Sequence, residues 1–96
     1  MAFAEKPTIT KIKSHIEKRG GVFKSWFVGI GEHARMELKR HGVKRKGDCW
    51  IFVRANSTSV AESVRSHLVE ALGVLTQDGK RGDYVYAYRL SLNTKP

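Results

Sequence analysis

Two groups of side chains in this 96-residue sequence have types and spacing that could do chemistry. The first is a run of cations, Lys39, Arg40, Lys44, Arg45 and Lys46, joined further on by Lys80 and Arg81. Like charges packed this closely repel one another unless an anion lies against them, and a phosphodiester backbone supplies that anion. A solvated helix end explains the run equally simply, because Lys39 and Arg40 would face the negative end of a helix dipole. The second group is the alternation Tyr84, Tyr86, Tyr88, which puts three phenols on one face of a strand. Such a row is either half-buried sheet surface, or a stacking platform for bases, or a set of hydroxyls around a phosphate with Arg89 alongside.

Other residue types point away from chemistry. His15, His33, His41 and His67 are scattered over three expected helices with no metal-ligand spacing among them, so no zinc site is expected. Cys49 is the single cysteine, which excludes an intrachain disulfide, and no cation lies nearer to it in sequence than Lys46. It reads as a buried, inert thiol at the start of a strand. Gly29-x-Gly31 lacks the third glycine of a dinucleotide fingerprint and reads as a turn.

The elements that must position these residues follow from hydrophobic spacing. Ile9, Ile12 and Ile16 recur at helical intervals over about Thr8 to Arg19, where Gly20-Gly21 stops the pattern. Val22 to Ile30 is aromatic and β-branched, hence a buried strand. Ala34, Leu38 and His41 share a face of a second helix, about Glu32 to His41, and Cys49 to Arg54 is a second, central strand. Ser59 and Glu62 have capping-box spacing ahead of the stripe Ala61, Val64, Leu68, Ala71 and Leu72, which marks a third helix ended by Gly73. A polar loop, Gln77 to Gly82, leads to the tyrosine strand. The expected fold is α/β (or α+β), a small three-stranded sheet with three helices in the order α-β-α-β-α-β. Short loops after both early strands would suit right-handed crossovers if those strands were parallel neighbours.

A chain of this length and a hydrophobic fraction of 41% fit one domain, expected over residues 8–92, with a flexible N-terminal arm at 1–7 and a flexible tail at 93–96. Lys and Arg number 18 against 9 Asp and Glu, and the formal net charge of +9 attracts polyanions. Neither a secretion signal nor a membrane-length apolar run is visible, so a cytoplasmic protein without a membrane partner is expected.

From Trp26-Phe27-Val28-Gly29 onward the chain resembles the GIY-YIG nuclease fold, whose second strand ends in Tyr-Ile-Gly or Tyr-Val-Gly and is followed by a helix. His41, twelve residues after Gly29, falls where that family has a frequent histidine, and the strand Cys49 to Arg54 and the helix Ser59 to Leu72 follow in the family's order. The resemblance covers about Trp26 to Gly73. It departs where it matters for catalysis, since Glu37 stands where the resemblance implies an arginine and Arg65 where it implies a metal-binding glutamate. An arginine at a Mg²⁺ ligand position repels the ion. The exchanged pair would instead approach across one concave face of the sheet and form a salt bridge between helices two and three. The family's first tyrosine strand is also missing before Trp26; Tyr84 to Tyr88 would fill that position from the other end of the chain, as in a circular permutation.

The expectation is therefore a small basic nucleic-acid-binding domain on a GIY-YIG-like scaffold, catalytically degenerate, without a cofactor, binding DNA in preference to RNA through Lys39, Arg40, Lys44, Arg45, Lys46, Lys80 and Arg81. One alternative is a metal-dependent DNA nuclease in which Tyr86 or Tyr88 activates water, Glu62 or Glu70 holds Mg²⁺, and Arg35 or Arg40 stabilises phosphate charge, with His41 beside them. Another is a small protein-binding inhibitor or interaction module with a protein partner.

Overall fold

The computed structural model describes residues 2–44, 48–77, 81–91 and 94, and its sheet is organised around the strand that comes last in the chain. Helix α1 spans Glu5–Glu17, strand β1 Trp26–Gly31, helix α2 Ala34–Arg40, strand β2 Trp50–Arg54, helix α3 Thr58–Leu72, strand β3 Leu75–Thr76 and strand β4 Tyr84–Arg89. The strand order is β2-β4-β1-β3. β4 runs antiparallel to both neighbours, with Tyr86 opposite Gly29 on one side and Phe52 on the other, whereas β3 is parallel to β1.

The class is the expected mixture of helix and sheet, with a fourth strand added among the described residues. β3 has only two residues, too few for any alternation to show, and the Thr76 hydroxyl fastens it by donating to the Val28 carbonyl at 2.7 Å. The first expected strand also starts later than Val22, because Phe23–Ser25 closes a single 3₁₀ turn before the chain extends. β1 and β2 run parallel to each other but are not neighbours, since β4 lies between them, so the condition of adjacent parallel strands is not met by this pair.

Alternation along the strands divides the interior in two. Trp26, Val28 and Ile30 of β1, with Val53, Val85 and Ala87, pack beneath Ile12 and Ile16 of α1 and Ala61, Val64 and Leu68 of α3. Phe27, Tyr86 and Tyr88 face the other way, beneath Ala34 and Leu38 of α2. Two helices therefore cover one face and a single helix of 7 residues covers part of the other.

Helix α1 begins at Glu5, because the Thr8 hydroxyl donates to the Ala4 carbonyl at 2.7 Å and lies inside the first turn instead of preceding it. Phe3 bridges Ala55, its N–H donating to the Arg54 carbonyl at 2.9 Å. The segment expected as an arm thus carries a bridge and the first helical turn. Of the expected tail, only Thr94 is described, and its hydroxyl accepts from the Ser91 N–H at 2.8 Å. Among the described residues no helix is long and apolar enough to cross a membrane.

Both expected glycine stops are present: Gly21 (φ 70°) donates to the Ile16 carbonyl at 3.0 Å, and Gly73 (φ 78°) caps α3. The expected capping box is not. The N-cap of α3 is Ser57, whose hydroxyl accepts from the Val60 N–H at 3.2 Å, so Ser59 falls within the first turn and Glu62 turns to a different partner. Ser57→Ala should lower the unfolding free energy by about 1 kcal/mol, and Ser59→Ala by less than about 0.5 kcal/mol, in parallel urea titrations.

Candidate functional site

The face beneath α2 holds a chain of hydrogen bonds built from residues far apart in sequence. His41 caps the C-terminus of α2, and its ring lies among Phe27, Tyr86 and Tyr88. Its Nε2 is 3.2 Å from the Tyr86 hydroxyl and its Nδ1 is 2.9 Å from the Tyr88 hydroxyl. Tyr86 also hydrogen-bonds Glu37. Each ring nitrogen of His41 thus meets one phenol hydroxyl, and the imidazole bridges Tyr86 and Tyr88. Arg40 completes the chain, its guanidinium lying 3.3 Å from Glu37 Oε1. Each buried polar group in the series has a partner, which is what allows Glu37, 7% exposed, to remain in the interior.

Burial pushes the Tyr86 pKa well above that of a free phenol, and the Glu37 charge adds to the effect. Burial does the same to Tyr88. Both phenols are poor bases at neutral pH, and the fold keeps them covered, at 2% and 0% exposure. Tyr86 and Tyr88 thus meet His41 as structural hydrogen-bonding partners, and neither offers an open face for stacking.

Small residues make this arrangement possible. A Cβ on Gly29 would collide with the Tyr86 ring at Cζ and Oη, and one on Gly31 would come within 3.1 Å of Glu37 Cγ. These glycines are therefore not a turn but two positions inside β1 where the side chains of β4 and α2 need the room. Gly82 is the third, its backbone lying against Gly31 and Glu32, which brings the neighbouring Arg81 to the rim.

The expected cations divide between two grooves along α2. Arg35 and Lys39, four residues apart, line a groove of about 320 Å³ with Leu38, Val43 and Trp50. Arg40 and Arg81 line a smaller one of about 190 Å³ with Gly31, His33 and Glu37. Lys44 is exposed at the end of α2, its backbone N–H donating to Asp48. Arg45, Lys46 and Lys80 lie outside the described residues. Glu70 is exposed on α3, and Cys49 is half-buried against the core under α1 and α3. Arg54 and the aromatic pair Trp50 and Phe52 had no place in the sequence-based set; their alternation with Ile51 and Val53 was a signal that they share the face of Tyr84.

The expected bridge between Glu37 and Arg65 is not formed as foreseen, because α2 and α3 pack on opposite faces of the sheet. Glu37 pairs with Arg40 and Tyr86 instead. Glu62 lies 3.8 Å from Arg81, and among the described residues no three His, Cys, Asp or Glu side chains converge as a metal site would require. Carboxylates already paired with arginine, as Glu37 and Glu62 are, do not fit Mg²⁺.

Gly29→Ala should destabilise the fold by about 1–3 kcal/mol through overpacking, and the cost should shrink when Tyr86→Ala is already present, a non-additivity read from denaturant titrations of the four proteins. The raised phenol pKa values set a second expectation. The unfolded chain releases these protons near pH 10 while the fold holds them, so the stability they contribute is complete below about pH 10 and is lost as pH rises through their folded values. Urea midpoints should fall from about pH 10 upward, and the combined Tyr86→Phe and Tyr88→Phe protein should show a shallower fall. Comparison with protein-family models, with curated proteins and with solved structures finds no match to this chain.

Proposed function

We propose that the chain is a small nucleic-acid-binding domain that holds phosphates along helix α2. The observation that carries this reading is the placement of cations on both flanks of one short helix, Arg35 and Lys39 on one and Arg40 with Arg81 on the other. Among the described residues, Arg35 and Lys39 have no carboxylate within ion-pair distance, and the chain as a whole carries +9. A concave surface that carries the uncompensated charges of Arg35 and Lys39, on a chain with a net excess of cations, attracts a polyanion and holds it by releasing counterions.

The GIY-YIG-like scaffold belongs to this proposal. Its support is the antiparallel pairing of the tyrosine strand with β1, Tyr86 opposite Gly29, which is the arrangement a permuted first strand would adopt. The hydrogen bonds from His41 to both tyrosines agree with it. The exchange of Glu37 and Arg65 lends it no support, because the helices that carry them pack on opposite faces of the sheet.

The test is fluorescence anisotropy with labelled DNA and RNA at two salt concentrations, with cleavage followed in the same samples. Log affinity should fall linearly with log salt, and Lys39→Ala, Lys44→Ala and Arg81→Ala together should weaken every nucleic-acid ligand by roughly tenfold or more while flattening that slope. Absence of binding at low salt would reject the proposal, and metal-dependent nicking that EDTA abolishes would replace it with the nuclease reading.

A further inference from the structure

Helix α2 is too short to cover the sheet face on which it lies. With 7 residues it reaches about 10 Å, and the residues it buries are Phe27, Tyr86 and Tyr88 of β1 and β4. On β2 the same face carries Trp50 and Phe52, and on β4 it carries Tyr84; all three remain half-buried. The Trp50 and Phe52 rings are parallel to within 5°, with centroids 6.0 Å apart, and Tyr84 meets Phe52 edge-on at 6.0 Å. β2 is an edge strand, so this aromatic strip borders the open side of the sheet.

Cations surround the strip. The Arg35 guanidinium lies 5.8 Å from the Phe52 centroid, the Arg54 guanidinium 5.8 Å from Tyr84, and Lys39 shares a groove with Trp50. Arg54 is also held to Asp83 at 2.9 Å, which fixes it beside the ring. Two parallel rings in a row with positive charge on both sides form a surface for alternating chemistry, apolar planar groups in the middle and anionic groups at the margins.

We infer that the Trp50, Phe52 and Tyr84 strip is a stacking surface for the bases of a single-stranded nucleic acid whose phosphates are held by Arg35 and Lys39. This inference rests on the phosphate-binding function proposed above and assigns its ligand. Duplex ends apart, a double helix keeps its base faces stacked inside and offers an aromatic side chain nothing to lie on, whereas an unpaired strand presents a π face at every base. The stack is indifferent to sequence because every base has such a face.

The experiment compares a fluorescein-labelled oligothymidylate with a duplex of the same length, using the full chain. The unpaired strand should bind at least several-fold more tightly than the duplex. Tryptophan emission should be quenched on its addition, and Trp50→Leu should abolish the quenching, because the other tryptophan, Trp26, is 1% exposed. Trp50→Leu and Phe52→Leu keep apolar bulk, and each should weaken the single strand by roughly tenfold and the duplex by much less, so that the preference for the single strand is lost. Trp50→Phe should retain most of the affinity, which a purely structural contribution of the indole would not explain. A duplex bound as tightly as the single strand, or leucine variants that bind oligothymidylate like the parent, would overturn the stacking assignment while leaving phosphate binding intact. Failure of both ligands to bind would overturn both proposals together.

Discussion

The ring of Tyr86 lies where the side chain of residue 29 would otherwise be, and much of the molecule is arranged around that contact. Because Gly29 has no Cβ, the phenol can lie flat over β1 and carry its hydroxyl toward α2. There it meets both His41 and Glu37, which fixes the ring of the one and neutralises the burial of the other with Arg40. The short helix is thereby positioned by polar contacts as much as by Ala34 and Leu38. A helix of 7 residues has little propensity of its own to persist, so tertiary contacts must supply its stability.

The two faces of the sheet solve different problems. Under α1 and α3 the interior is mostly aliphatic, with Ile12, Ile16, Val28, Val64 and Leu68 inaccessible to solvent and the His15 ring edge-on to Trp26. Under α2 it is aromatic and hydrogen-bonded, and the cover is incomplete. Polar networks inside a protein cost stability when any member lacks a partner, and they specify geometry when all are satisfied. The network of Glu37, His41, Tyr86 and Tyr88 lies on the partly covered face, where cations and half-buried aromatic rings stand next to it, and the other face carries most of the hydrophobic stabilisation.

Much of the fold was legible because it depends on local rules. The isoleucine spacing of α1, the Ala61, Val64 and Leu68 stripe of α3, the glycine stops and the tyrosine alternation each follow from a single period or a single backbone preference. What was not legible depends on encounters between distant segments. Gly29 and Gly31 read as a turn because the reason for them, Tyr86 and Glu37, comes from elsewhere in the chain. β3 exists only because β1 is there to pair with it. The face on which each helix packs decides whether Glu37 and Arg65 can meet, and helical spacing alone does not contain that information. Of the candidate site, His41, Tyr86 and Tyr88 were all named in advance and do converge, but as a buried network; Trp50 and Phe52 were passed over because half-buried aromatics on a strand look like ordinary core.

The position of β4 between β1 and β2 has a bearing on how the protein comes into being. As the chain is synthesised, β1 and β2 emerge without each other as partners, and neither has the neighbour that will satisfy most of its backbone hydrogen bonds. Without Tyr84–Arg89, β1 would have only β3 beside it, β2 would have no strand neighbour, and the space beside Gly29 would lack the Tyr86 ring. Long-range pairing of this kind is slow and exposes strand edges to other chains. A large net charge of one sign makes chains repel one another, which works against that exposure.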